Sequence, residues 1–177
     1  VVEKTALAEA EVEYKEKSSK SIFVKFPVQN TSEDLSIIIW TTTPWTIPCN
    51  RAIAYSRKLK YKKILILNDY DQKNLKKNDK IIISENLIEN FLLQHCIDKY
   101  KILDDVNENQ LNSFICSHPL KKLGFNFEIR LFPSNHVTDE TGSGFVHIAP
   151  NHGLEDFEVG LKFGLDNSET VNDGGIY

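Results

Sequence analysis

A run of three threonines followed by a Pro-Trp-Thr sequence is the first candidate for chemistry. Residues 41–50 have the sequence Thr-Thr-Thr-Pro-Trp-Thr-Ile-Pro-Cys-Asn. Successive hydroxyls in a strand point to opposite faces, and Pro44 and Pro48 favour a sharp turn because each lacks a backbone N–H. Such a corner can present hydroxyls, backbone N–H groups and the Trp45 indole to a small polar ligand. The alternative is that the threonines only reflect the preference of this residue for strands.

A glycine-rich segment that contains two histidines and two acids is the second candidate. Residues 141–157 have the sequence Thr-Gly-Ser-Gly-Phe-Val-His-Ile-Ala-Pro-Asn-His-Gly-Leu-Glu-Asp-Phe. His147 and His152 could serve as general bases or, with Glu155 and Asp156, bind a metal, although the spacing does not match the helical H-E-x-x-H pattern. Asp156 lies near the start of a predicted helix. It is either a first-turn acid favoured by the helix dipole or a carboxylate that pairs with a cationic amine.

The composition favours one ordinary globular domain. The chain has 177 residues, of which 41% are hydrophobic and 26% are charged, and its net charge is -4. This charge excludes a protein that coats nucleic acids, but it does not exclude nucleic acid bound through a local patch. The basic residues between Arg57 and Lys63 are expected to form a solvated face. The three cysteines, Cys49, Cys96 and Cys116, are widely spaced and do not form a C-x-x-C pair. We therefore expect reduced thiols and neither a disulfide framework nor a zinc site.

The first residues of the chain and its apolar runs indicate what kind of protein it comes from. The sequence contains no methionine, and the charged first 21 residues have no apolar core typical of a signal peptide. These features predict a processed or excised piece of a longer protein. No run approaches the roughly 20 apolar residues that a membrane helix needs. We therefore expect a cytoplasmic protein without a membrane partner.

The hydrophobic pattern predicts many short strands and few helices. We find no internal repeat and no linker, so residues 1–177 are expected to form a single domain. The pattern lacks the regular alternation of a doubly wound parallel sheet, and it favours an α+β fold that resembles a β-barrel with peripheral helices. Strands are predicted at 21–26, 35–43, 51–55, 64–67, 81–83, 101–103, 125–132 and 145–148, and helices at 85–95 with Ser84 as N-cap, 107–114 and 154–163.

The order and spacing of the two candidate segments resemble the editing domain, or connective peptide 1, of isoleucyl-tRNA synthetases. Residues 40–54 are similar to the threonine-rich peptide of that family, residues 141–157 to its second editing motif, and residues 171–177 to the acidic turn that follows. Thr43 stands where the valine and leucine enzymes tend to carry arginine, which favours the isoleucine enzyme. The H-I-G-H and K-M-S-K-S signatures of the aminoacylation core are absent from the sequence, so we do not expect amino-acid activation by this piece.

The resemblance implies hydrolysis of the ester that joins valine to the 3′-terminal adenosine of isoleucine tRNA. A synthetic pocket cannot strongly reject a side chain that is smaller by one methylene, which is the known reason for a second site in this family. The implied partners are the 3′ end of the mischarged tRNA and the rest of the synthetase. No cofactor is implied for editing, since ATP and metal use would belong to the absent core. Two alternatives are a module that binds the substrate but turns it over weakly without the full synthetase, and a metal hydrolase that uses His147 and His152.

The resemblance also assigns roles to single residues. Asp156 would bind the substrate ammonium group, His147 would lie near the ester and the terminal ribose, and Trp45 would form a wall of the side-chain pocket. The threonines would contact the adenosine and the aminoacyl carbonyl, and catalysis would rest on positioning and electrostatic stabilisation. The implied catalytic residues are Asp156, His147, Thr42 and Thr43, and the implied substrate-binding residues are Thr41, Trp45, Thr46 and Asn50.

Two positions depart from the family pattern. Asn151 replaces a glycine that usually precedes His152, and Cys49 replaces a usual alanine. Asparagine tolerates a left-handed backbone better than most residues do, so the turn is expected to survive. Neither departure touches Asp156 or the threonines. We therefore expect an effect on the rate of the reaction and not on its nature.

Overall fold

The described part of the chain folds into two mixed β-sheets and three short α-helices. A computed structural model describes residues 16, 18, 20–70, 74–172 and 174–177 of the chain. The strands are β1 (Ile22–Pro27), β2 (Leu35–Thr41), β3 (Ala52–Tyr55), β4 (Tyr61–Ile66), β5 (Lys80–Ser84), β6 (Tyr100–Val106), β7 (Ile115–Ser117), β8 (Glu128–Pro133) and β9 (Phe145–Ile148). The helices are α1 (Ile88–Gln94), α2 (Glu108–Ser113) and α3 (Leu154–Phe163), with 3-10 turns at Pro44–Cys49, Glu85–Leu87 and Lys121–Leu123.

The strand order shows two open sheets in place of a barrel. The five-stranded sheet has the order β1-β2-β5-β4-β6, and the four-stranded sheet has the order β7-β8-β3-β9. Each sheet contains one parallel pair, β2 with β5 and β3 with β8, and the remaining pairs are antiparallel. The α+β class is confirmed. The described strands form two sheets and do not close into a complete barrel.

The strands that carry the two candidate segments are among the most buried elements. All four residues of β3 are fully buried, since β3 lies between β8 and β9. In β2, the residues from Leu35 to Ile39 are all buried, and their side chains alternate between two clusters of the core. Burial of such aliphatic side chains stabilises a fold by roughly 1.5–3 kcal/mol each. The two candidate segments are therefore held by strands of the rigid protein core.

Local hydrogen bonds explain where the observed elements differ from the predicted ones. Strand β2 ends at Thr41 and not at Thr43, because the Thr41 hydroxyl accepts the Thr43 N–H at 3.0 Å and turns the chain. Ser84 lies at the predicted N-cap position, but its side chain makes no cap hydrogen bond, and its N–H donates to the Ser143 carbonyl at 2.9 Å. The helix predicted over 85–95 is observed as a 3-10 turn followed by α1.

Other elements follow the sequence closely. Strand β9 and helix α3 have the predicted bounds. Gly164 ends α3 with a φ of 63°, a left-handed conformation that costs glycine little. Helix α2 begins with a reciprocal capping box between Asn107 and Gln110. The short strand β7 was not predicted from the sequence.

Candidate active site

The two candidate segments meet in one cleft of about 340 Å³. One wall is the threonine corner, which we define as residues 41–46 at the end of β2. The other wall comes from the end of β9 and the start of α3. The corner contributes Thr41, Thr42, Thr43 and Thr46 to the lining, and the second segment contributes His147, His152, Glu155 and Asp156.

Hydrogen bonds inside the threonine corner fix its shape. The Thr46 N–H and the Thr46 hydroxyl both donate to the Thr43 carbonyl, at 3.0 and 2.8 Å. Pro44 occupies the first turn of the 3-10 segment, where its missing N–H costs nothing. The Thr42 side chain is exposed and the Thr43 side chain is half-buried. Neither hydroxyl has a hydrogen-bond partner among the described residues, so both can contact a ligand.

His147 is held in one tautomer by the corner. Its Nε2 lies 3.0 Å from the Thr46 hydroxyl oxygen. The single proton of that hydroxyl is already donated to the Thr43 carbonyl, which can only accept. From this arrangement we infer that His147 carries its proton on Nε2 and donates it to Thr46. The opposite nitrogen, Nδ1, is left with a free lone pair and no partner in the described part of the chain.

The buried imidazole of His147 is neutral under ordinary conditions. Burial lowers its pKa to about 4, and the neighbouring His118 and His152 act in the same direction. A group with this pKa is a weak general base at neutral pH. Because Nδ1 is buried, His147 acts on the corner through Nε2, and it does not supply a positive charge to the cleft.

Asp156 supplies the partly buried acid of the cleft. It lies in the first turn of α3, and its Oδ2 accepts the Ala149 N–H at 2.9 Å. Burial raises the pKa of this carboxyl, while the Ala149 N–H and the nearby His136 oppose that shift. A carboxylate that has lost part of its hydration gains more from a cationic partner than an exposed one does. The geometry therefore suits recognition of an amine.

Comparison with known proteins gives relatives for this arrangement. No family model matches the chain. It is 43% identical to the isoleucine–tRNA ligase of Pelagibacter ubique over 180 residues, which cover 99% of this chain and 19% of that protein. It is 44% identical to the isoleucine–tRNA ligase of Rhodopseudomonas palustris over 164 residues, covering 90% and 16%. The chain is homologous to a segment of the isoleucine–tRNA ligases. It spans less than a fifth of the length of these relatives.

Solved structures establish the fold independently. The crystal structure of GlLeuRS-CP1 matches with a TM-score of 0.63 at 15% identity, covering 84% of this chain and 66% of the other. The editing domain of the P. knowlesi cytosolic leucyl-tRNA synthetase matches with a TM-score of 0.58 at 14% identity, covering 73% and 52%. At these identities the likeness shows the fold alone. The chain has the CP1 editing-domain fold.

Two residues expected to bind substrate lie outside the cleft lining. The Trp45 side chain is 54% exposed and packs edge-on against His152, with ring centroids 5.1 Å apart. Asn50 is fully buried, and its amide donates to the Ala52 carbonyl at 2.9 Å. The Asn50 side chain thus bonds to the start of β3 and not to the cleft. Trp40, which was not assigned a role from the sequence, does line the cleft.

Arg51 is a second residue that sequence reasoning did not select. It is 8% exposed, and its guanidinium lies 4.0 Å from the centroid of the Phe127 ring. It donates to the Asn50 carbonyl at 3.0 Å, to Asp166 at 3.3 Å and to the Thr170 hydroxyl at 3.0 Å. Arg51 therefore links the segment that follows α3 to the backbone just after the threonine corner. Only the tertiary structure brings these groups together.

The two departures from the family pattern are both accommodated. Asn151 has no positive φ, so the left-handed conformation expected for it is not used. Its side chain instead donates to the Asn167 carbonyl and adds another contact to the segment after α3. Cys49 is buried, and burial raises the pKa of its thiol. Neither side chain lines the cleft.

The basic segment near Arg57 is largely neutralised by acids. Arg57 pairs with Glu108 at 2.6 Å, and Lys63 pairs with Glu33 at 3.0 Å. Lys62 pairs with Glu85 at 3.3 Å and also with Asp105. The segment is thus only in part the solvated face expected from the sequence. Its other basic residues, Lys58 and Lys60, are exposed.

Neither a metal-binding cluster nor a membrane-spanning helix is found in the part of the chain that the structure describes. Within these ranges, no three His, Cys, Asp or Glu side chains are grouped so that they could hold a metal ion. The described helices include none that has both the length and the apolar character needed to cross a bilayer.

Proposed function

We propose that this chain is the editing domain of an isoleucine–tRNA ligase and hydrolyses the ester of valine attached to isoleucine tRNA. The observation that carries the proposal is the meeting of two segments, one hundred residues apart in sequence, in a single cleft. Homology to isoleucine–tRNA ligases and the CP1 fold support it. The partners in this proposal are the 3′ end of the mischarged tRNA and the remainder of the synthetase.

Asp156 binds the α-ammonium group of the valyl moiety in this proposal. Oδ2 is held by the Ala149 N–H, while Oδ1 has no partner among the described residues and is free for a charge-assisted hydrogen bond. Such bonds are roughly twice as strong as neutral ones. Because the ammonium group lies one carbon from the ester carbonyl, fixing it also fixes the carbonyl.

The threonine corner then stabilises the transition state. Water attacks the carbonyl carbon, the negative charge builds on the carbonyl oxygen, and the bond to the ribose oxygen breaks. The Thr42 and Thr43 hydroxyls can donate to the developing oxyanion, and the proton lost by water goes to the departing ribose oxygen. Fixed donors of this kind lower the barrier without a covalent intermediate. His147 holds the Thr46 hydroxyl through Nε2 and so keeps the threonine corner in place during the reaction.

Discrimination between valine and isoleucine is steric in this proposal. The two side chains differ by one methylene, so the cleft must admit the smaller one and clash with the larger one. A substrate that is excluded from the cleft keeps its ester away from the Thr42 and Thr43 hydroxyls. Correctly charged tRNA is therefore spared.

Single-turnover deacylation tests the proposal. The chain, in excess, is mixed with valyl-tRNA(Ile) or with isoleucyl-tRNA(Ile), and the released amino acid is measured. We expect release of valine and not of isoleucine. Failure to hydrolyse either ester, together with tight binding of a non-hydrolysable valyl-adenosine mimic, would favour the weakly active binding module. Failure to hydrolyse and to bind the mimic would overturn the assignment of the site.

A further inference from the structure

The cleft has few lining residues with an apolar side chain. Most of the lining is made of hydroxyls, imidazoles and carboxylates. The apolar side chains are those of Trp40, Val146 and Ala149. Ala149 donates its N–H to Asp156 and so lies at the acidic end of the cleft. An aliphatic substrate side chain, which gains by leaving water, is thus directed to Trp40 and Val146.

The Trp40 indole is fixed from behind. Trp40 lies in β2 and pairs with Phe23 of β1. Gly142 packs directly on it, since a Cβ at Gly142 would lie 3.0 Å from both Cβ and Cε3 of Trp40. Gly142 has a φ of 84°, which favours glycine at this position. The indole cannot retreat toward Gly142, so it presents a rigid surface to the cleft.

We propose that Trp40, and not Trp45, is the wall that admits a valyl side chain and excludes an isoleucyl one. This inference rests on the proposed editing function. Trp45 is more than half exposed and does not line the cleft, although its ring packs against His152. A flexible or solvent-exposed wall would yield to one extra methylene. A wall backed by a glycine that is already in close contact does not.

Graded substitution of Trp40 tests this assignment. Trp40→Phe and Trp40→Ala enlarge the cleft, so isoleucyl-tRNA(Ile) should become a substrate. We expect the ratio of valyl to isoleucyl deacylation rates to fall by at least about tenfold, the lower end of the range known for one methylene. A gain of activity on the larger substrate cannot result from misfolding. Trp45→Ala is the matched comparison and should leave this ratio unchanged.

Two results would overturn the inference. One is an unchanged ratio in folded Trp40 variants that still hydrolyse the valyl ester. The other is a relaxed ratio in Trp45→Ala with a normal ratio in the Trp40 variants. If the parent chain hydrolyses neither ester, the proposed function fails first, and the two failures are thereby distinguished.

A spectroscopic measurement covers the case in which Trp40 variants do not fold. The chain contains two tryptophans, so Trp45→Phe leaves Trp40 as the sole indole. Addition of a non-hydrolysable valyl-adenosine mimic should shift or quench its emission, with saturation at the affinity measured by titration calorimetry. Binding of the mimic by calorimetry without any change in Trp40 emission would contradict the inference.

Discussion

The hydroxyl oxygen of Thr46 lies 3.0 Å from Nε2 of His147 and joins the two halves of the cleft. The residues are 101 positions apart in the sequence, and both are buried. The same hydroxyl donates to the Thr43 carbonyl at 2.8 Å. The contact therefore fixes the histidine tautomer and the shape of the threonine corner at once.

Removing the Thr46 hydroxyl should destabilise the fold. In Thr46→Val the Nε2 proton of His147 loses its acceptor while it remains buried. An unsatisfied buried donor costs about 1–3 kcal/mol, and we expect a decrease of that size in the free energy of unfolding, measured with urea at pH 7. Thr46→Ser retains the hydroxyl and should recover most of the loss. Equal stability of the valine and serine variants would contradict the proposed hydrogen bond.

The lowered pKa of His147 predicts an acid-sensitive fold. The pKa is about 4 in the folded protein and 6.5 for the unperturbed group, so the unfolded chain binds the proton more readily. The buried neutral His147 therefore contributes to the free energy of unfolding. This contribution is complete above pH 6.5, is lost as the pH falls from 6.5 to 4, and amounts to about 3 kcal/mol at most. Urea midpoints of the parent and of His147→Gln should converge over this window. Parallel pH profiles would contradict the assignment.

Asp156 should be required for hydrolysis and should set its acid limb. Asp156→Asn removes the charge with little change in size, and loss of a charge-assisted hydrogen bond should slow valyl deacylation by about 10- to 150-fold. Because burial raises the pKa of Asp156, the parent should lose activity at a pH above the ordinary range of an aspartate. Glu158→Gln, on the same helix but outside the cleft lining, is the control. An asparagine variant with the parental rate would rule out amine recognition by Asp156.

Arg51 should hold the segment after α3 against the threonine corner. Arg51→Gln removes three donated hydrogen bonds and the contact with Phe127. We expect a loss of about 1–3 kcal/mol in unfolding free energy and faster amide exchange in residues 165–170. Arg57→Gln breaks an exposed pair and should leave both nearly unchanged. Unaltered exchange in Arg51→Gln would show that the segment is held by other contacts.

Chelation separates the proposed mechanism from a metal hydrolase. Positioning by Asp156 and by the threonine corner needs no ion. Valyl deacylation should therefore proceed at the same rate after dialysis against EDTA. A loss of activity that added zinc restores would instead favour a metal site involving His147 and His152.

Local patterns predicted the elements whose signals lie within a few residues. The apolar run of β9 and the Gly164 terminator of α3 gave correct bounds for both. Ser84 lies at the predicted N-cap position without a side-chain cap bond, and its N–H donates to the carbonyl of Ser143, which is 59 residues away in sequence. Residues 42 and 43 have strand propensity, but the Thr41 hydroxyl and Pro44 turn the chain there. Distant or competing hydrogen bonds override propensity at these points.

The candidate site was predictable to the extent that its residues are consecutive in two segments. The threonines, His147 and Asp156 were found this way, and the fold brings them together. Trp40 and Arg51 were missed because their roles depend on Gly142 and on the segment after α3. Trp45 was chosen because the family resemblance implies that it forms a wall of the side-chain pocket, although its indole packs against His152.

A crystal structure with a non-hydrolysable valyl-adenosine mimic tests the central claim most directly. We predict that the mimic occupies the cleft, with its ammonium nitrogen within about 3 Å of an Asp156 carboxylate oxygen. The ester carbonyl should face the Thr42 and Thr43 hydroxyls. An ammonium group bound away from Asp156, or a mimic bound outside the cleft, would contradict the account.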